Sequence, residues 1–289
     1  MNKQQLIFIT AAIALTGGLY FFGVTVPKTK EGEDQAKTAP AQHDHQTFDI
    51  EHYMEDVTKE QPISGQQLLA SLENIVKRGD VKEQQIKAYG QQAAYWRDSA
   101  DNPIAYLHYL KLAASLENSE KNLTFAAHSI LRYLSFVEEP QEKVYLANEG
   151  RQLFEKALDI NPANDSSAVG LGGCYMYGAS KGEGDSPMTG ISKVREVAAK
   201  DSTNMFAQRM LGIGGLISGQ LDKAAMRFEK VAAAEPDNIE IQFKLAETYE
   251  NLGDKPNAIR WYTSIMNKTN IAKLKQELAQ RIEQLRAGK

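Results

Sequence analysis

The sequence predicts an all-α protein made of successive antiparallel helix pairs, and three observations predict it. Residues 204–238 and 239–267 echo each other at a period of 34 residues, matching Leu211 with Leu245, Gly219 with Gly253, Ala224 with Ala258 and Phe228 with Tyr262. After Pro62, apolar residues recur at helical spacing in one segment after another, with no convincing alternating strand among them. Breaks fall between the segments at Gly79, Asn102-Pro103 and Pro236, where glycine, a capping asparagine or proline ends one helix and opens the next.

At 289 residues and 42% hydrophobic content the chain can bury a large core. A net charge of −4 and a pI near 5.8 give no general attraction to phosphate backbones, which argues against nucleic-acid binding. The single cysteine, Cys174, excludes an internal disulfide framework and any multi-thiolate metal site.

The elements follow in order. Residues 6–26 carry no charged side chain, and a helix of that length reaches about 30 Å, enough for a hydrocarbon core. Residues 1–26 therefore read as one N-terminal transmembrane helix, an uncleaved membrane anchor. A cleaved signal peptide is the competing reading, but the apolar run is long for one and no clean Ala-x-Ala site closes it. Lys3 and the amino terminus nearly balance Lys28 and Lys30 across the segment, so the short tail, which usually stays in the cytoplasm, sets the expected orientation. That places the soluble part in the periplasm, on a single-pass protein of a bacterial inner membrane.

Residues 27–62 hold four lysines against nine acids, a solvated acidic linker. Within it Ile50, Tyr53, Met54 and Val57 share one helical face. Two readings stand: a short helix docked on the protein's own stack, or one that binds a partner. His43, His45 and His52 do not make a metal site there, because an acidic linker does not preorganise ligands.

Residues 63–289 form the helical body. Ser64 is expected to cap a helix to Arg78 with Leu68, Leu69, Leu72, Ile75 and Val76 on its apolar face. Helices follow over 82–97 and from Asn102-Pro103 onward, then over 122–137 and 141–160. A unit over 165–204 contains a glycine-rich insertion at 178–185. A last helix over 271–286 aligns Ile271, Leu274, Leu278, Ile282 and Leu285, with a polar outer face suited to capping the stack.

The 34-residue period, its small residues (Gly212, Ala246, Ala224, Ala258), its aromatics (Phe228, Tyr262) and its turn (Leu252, Gly253, Asp254) resemble the tetratricopeptide repeat. The resemblance covers 165–267 well and 86–162 more loosely. It implies a right-handed α-solenoid whose clearest repeats are 165–204, 205–238 and 239–272. It also implies that the first helix of each pair lines a concave groove for a peptide or a partner's helix. The family's groove positions fall on Val169, Gly173, Met176 and Tyr177, then on Phe206, Arg209, Ile213 and Leu216, then on Glu240, Phe243, Glu247 and Glu250. This groove is apolar and aromatic toward its middle and acidic toward its end. The same apolar residues also suit packing between repeats. The lysine and asparagine of the family's carboxylate clamp are absent, with Ile213 one turn beyond Arg209.

No catalytic set emerges. The glycines of 170–173 and 211–215 follow no strand and lack the Gly-x4-Gly-Lys-Ser/Thr pattern, so they mark close helix approach rather than a nucleotide loop. Cys174 has no basic neighbour to activate it, and His108 and His128 sit on tyrosine- and leucine-rich helices without an accompanying acid or serine set. The expectation is a non-enzymatic, cofactor-free scaffold at the membrane that binds other proteins, in envelope assembly. The alternative is a structural protein that binds its own linker helix or another copy of itself.

Overall fold

The structure, a computed structural model, describes residues 48–79, 81–179, 182 and 185–288. The expected anchor at 1–26 and the linker up to residue 47, including His43 and His45, lie outside the described residues. Among the described residues there are thirteen α-helices and no strand, and no helix is long and apolar enough to cross a membrane. The helices are α1 (Ile50–Lys59), α2 (Ile63–Arg78), α3 (Lys82–Asp98), α4 (Pro103–Glu117), α5 (Glu120–Leu134), α6 (Pro140–Ile160) and α7 (Asp165–Met176). They continue with α8 (Pro187–Lys200), α9 (Met205–Ile217), α10 (Leu221–Ala234), α11 (Ile239–Asn251), α12 (Lys255–Lys268) and α13 (Ala272–Arg286).

Local chemistry sets the boundaries. Asn164, Asn204 and Asn238 each precede the first helix of a unit and accept a hydrogen bond from the backbone N–H three residues on, at Ser167, Ala207 and Ile241. Each such cap is worth about 1 kcal/mol. Asn102 does the same for α4, with Pro103 in the first turn, and Asp254 for α12. Gly79, Gly219 and Gly253 take φ of 71°, 70° and 75° where the chain reverses between helices, a backbone region other residues reach only at a cost.

Several expected boundaries move. Ser64 caps nothing: α2 begins at Ile63 with Pro62 at the cap position, because proline has no N–H to satisfy there. Leu68 points outward, 45% exposed, and Leu69 and Leu72 carry the buried face. Helix α5 starts two residues earlier than expected, capped by Ser119, and stops at Leu134, so Val137 is buried in a connection rather than a helix. Ile271 is left 63% exposed at the start of α13, whose stripe is Leu278, Ile282 and Leu285 with Leu274 half-buried beside them.

The helices pack as pairs, α3/α4, α5/α6, α7/α8, α9/α10 and α11/α12, and the second helix of each touches the first helix of the next. Helix α13 lies on α12, and the first helices α5, α7 and α9 also touch in sequence. The core is therefore a string of clusters. One joins α5, α6 and α7 around Ile130, Phe154 and Cys174; the next joins α7, α8 and α9 around Val169, Val194 and Met210; a third joins α10 and α11 around Phe228 and Leu245.

Close approach depends on missing side chains. A Cβ on Gly212 would lie 2.4 Å from the Phe228 ring, and one on Gly190 would lie 2.2 Å from the carbonyl oxygen of Gly172, where α7 and α8 nearly touch.

Helix α1 docks on its own chain. Met54 is buried with Leu69, Trp96 and Ala105, and the Tyr53 hydroxyl lies 3.1 Å from Asn102 Oδ1. Phe48 packs against both Tyr53 and Tyr145, with ring centroids 5.4 and 5.1 Å apart. His52, in the same helix, is exposed and lies 3.4 Å from Asp56.

A second repeating feature is polar. Gln208 and Gln242, 34 residues apart and buried, donate from Nε2 to the carbonyls of Ser202 at 2.8 Å and Pro236 at 2.5 Å. Their Oε1 atoms accept from Arg227 Nη1 and Ser264 Oγ. Gln208→Ala strands a buried carbonyl and a guanidinium contact and should cost about 1–3 kcal/mol in urea unfolding. Gly253→Ala, whose Cβ would meet nothing within 4 Å, should cost only the backbone term of about 1 kcal/mol in the same measurement.

Candidate functional site

A cleft of about 270 Å³ opens on the face shared by the first helices. It is lined from α5 by His128, Leu131, Arg132 and by Ser135 just beyond it, from the end of α7 by Tyr177, from α9 by Phe206, Arg209, Met210 and Ile213, and from α11 by Glu240. Five of the twelve expected groove residues meet there: Tyr177, Phe206, Arg209, Ile213 and Glu240.

Val169 and Met176 do not line the groove. They are 0% and 4% exposed, packed in the core with Ile191, Val194 and Met210, so no partner on the surface can touch them. Gly173 is buried as well, and a Cβ there would lie 2.8 Å from Met210 Cε. The glycine-rich face of α7 lets its neighbours approach closely, and nine of its twelve residues are buried.

Leu216 is half-buried against the core of α10 and α11, and Phe243 packs against Tyr262 with ring centroids 6.4 Å apart. The acidic end of the groove is largely neutralised. Glu250 accepts from the Tyr262 hydroxyl at 3.0 Å and pairs with Arg281 of α13, and Glu240 lies 3.8 Å from Lys244. Glu247 is exposed and has no ion pair among the described residues.

His128, Leu131, Arg132, Ser135 and Met210 were not expected in the groove. The α5/α6 unit is longer than the 34-residue repeat, so the family's groove positions could not be laid on it. The signal that remained was the spacing of His128 and Arg132, one turn apart on a first helix.

The electrostatics are lopsided. Arg209 stacks over the Phe206 ring at 5.2 Å, and neither Arg209 nor Arg132 has a carboxylate partner among the described residues. His128 is hydrogen-bonded through Nε2 to Ser166 Oγ at 2.9 Å and sits edge-on to Phe154 and Phe206. Burial lowers its pKa, and Arg209 and Arg132 push it further down, so both guanidiniums act on one ring. The Tyr177 hydroxyl is pushed up to about 12 by burial and by Glu240, against the pull of Arg209. The cleft therefore presents fixed positive charge, a neutral imidazole and aromatic faces.

Cys174 is fully buried and burial pushes its thiol well above the ordinary range, which removes the thiolate a nucleophile needs.

These features define a helical-repeat protein with a groove on its first helices. Residues 216–270 match the family model described as tetratricopeptide repeat. No curated protein matches the chain by sequence. Among solved structures it is similar to TTC0263, a thermophilic TPR protein of Thermus thermophilus, at 16% identity and a TM-score of 0.50, over 69% of this chain and 98% of that one. It also matches MamA from Desulfovibrio magneticus RS-1 at 19% identity and a TM-score of 0.41, over 63% of this chain and 94% of that one. At such identities the Thermus likeness supports the fold alone.

Burial, with a smaller push from Lys111, holds His108 down to about 4, below its ordinary 6.5. A lowered folded-state pKa means that the unfolded chain takes the proton first. The contribution is complete above pH 6.5 and is lost as pH falls from there toward 4. The stability difference between the parent chain and His108→Gln should therefore shrink across that window in urea titrations.

Proposed function

We propose that this chain is a membrane-anchored, non-enzymatic scaffold whose groove holds a peptide or a helix of another protein, in envelope assembly at a bacterial inner membrane. The observation that carries this reading is the cleft spanning α5, α7, α9 and α11, where Tyr177, Phe206 and Ile213 line the opening beside Arg132 and Arg209, neither of which has a carboxylate partner among the described residues. The uncharged run at residues 6–26 supports the anchor, and the short tail before it supports a periplasmic body. Helix α1 buries Met54 against Leu69 and Trp96, away from the cleft, so its docking leaves the groove open.

Photo-crosslinking in cells tests the groove. Benzoylphenylalanine placed at Ile213 or Glu247 should yield defined protein adducts, whereas placement at Met226, 55% exposed on α10, should not. Equal adducts from all three positions would remove the groove from the reading. Protease added to spheroplasts should digest the helical body; survival of that body would reverse the orientation, and its release by washing membranes without detergent would remove the anchor.

A further inference from the structure

Beside the cleft lies a second recess of about 500 Å³, where Phe125, Phe136, Tyr106 and Tyr133 supply aromatic walls. Arg132 lines both cavities. Phe125 is 54% and Phe136 69% exposed, although aromatic side chains of this size ordinarily repay burial. Two such rings flanking one recess mark an interaction surface more than scattered surface residues would.

The charges on this surface are one-sided. Arg97, at the far edge, is already committed: its guanidinium makes two bonds to Asp98, at 2.7 and 2.9 Å, and stacks over Tyr106 at 5.7 Å. Arg132 and Arg209 have no carboxylate partner among the described residues, although Arg209 stacks over Phe206 at 5.2 Å, and both bear on His128 from the same cleft. The recess has no carboxylate in its lining, and the cleft has only Glu240, which lies beside Lys244. Two guanidiniums that line one cleft attract a carboxylate placed between them. Arginine's planar fork suits a carboxylate oxygen pair, and a lysine-rich segment would meet like charge here.

We infer that the cleft and the recess together take an acidic peptide segment of another protein. One of its carboxylates sits between Arg132 and Arg209, and a neighbouring aromatic or large aliphatic side chain sits between Phe125 and Phe136. This inference rests on the groove reading proposed above and adds the chemistry of the partner.

The test uses the full chain in detergent and fluorescence anisotropy of two labelled ten-residue probes. One alternates Asp and Glu with Phe and Leu; the other has Lys at every acidic position. The acidic probe should bind at least tenfold more tightly than the lysine probe and weaken as salt rises. Arg132→Glu with Arg209→Glu should invert that preference, an outcome a misfolded variant cannot produce. Phe125→Ser with Phe136→Ser should weaken the acidic probe about tenfold and keep the preference for acid.

Equal binding of the two probes, or a preference unchanged by the arginine pair, overturns the inference; if crosslinks at Ile213 persist, the groove reading survives. Loss of both removes both. Binding that emerges only after deletion of residues 27–47 would assign the site to the chain's own acidic stretch and overturn a separate partner. Self-association abolished by the Phe125 and Phe136 changes would assign it to a second copy, with the same consequence.

Discussion

A Cβ on Gly170 would come within 2.2 Å of the Phe154 ring, and one on Gly212 within 2.4 Å of the Phe228 ring; the stack rests on aromatic rings filling space that the first helices leave empty. Both rings are wholly buried; Phe154 of α6 joins its unit to the next through Gly170 of α7, and Phe228 of α10 joins the two helices of one unit through Gly212 of α9. The arrangement is dense because a helix without side chains on one face lets another approach at backbone distance, and packed interiors tolerate little error in volume. Glycine costs helix propensity in α7 and α9, about 1 kcal/mol per site, and the burial of Phe154 and Phe228 offsets it. Between the first helices themselves the close approach is at Gly173 of α7, where a Cβ would lie 2.8 Å from Met210 of α9 and 2.9 Å from Leu131 of α5.

Much of this was legible from residue types alone. The period linking Leu211 to Leu245 and Ala224 to Ala258 identified the helix pairs, and Gly219 and Gly253 located the turns where positive φ occurs. The capping asparagines Asn204 and Asn238 belong to the same rhythm, as do Gln208 and Gln242, although buried glutamines have no apolar signature and passed unnoticed. The groove was less legible. Tyr177, Phe206, Arg209 and Ile213 come together in one cleft, whereas Val169 and Met176 pack into the core against α8 and α9, a burial that a repeat template laid on the sequence does not reveal. Arg132 escaped because its unit is longer than the period. Pairings such as Glu250 with Arg281 join elements that only three-dimensional packing brings together.

The groove's character also depends on what is not ionised. A protonated His128 beside Arg132 and Arg209 would add a third positive charge; burial and those two neighbours keep it neutral, and its bond to Ser166 ties α5 to α7. At the opposite end, Arg281 reaches back from the last helix to Glu250 and converts an acidic rim into a structural contact. Among the described residues Arg132 and Arg209 are without carboxylate partners at one end, and at the other Glu250 and Glu240 are paired while Glu247 is not, so charge distinguishes the two ends.

Most contacts in this fold join helices adjacent along the chain, so each unit is held chiefly by the units on either side. The contact of Phe48 with Tyr145 is different: it crosses the first helix pair and fastens the entering chain to the second. With Met54 seated on Trp96 and Tyr53 bonded to Asn102, it forms a clasp at one end of the stack. A force applied to the chain from its N-terminal side would be borne by that clasp before it reached any repeat, so tension would peel away ten residues of helix and leave the groove's geometry unstrained.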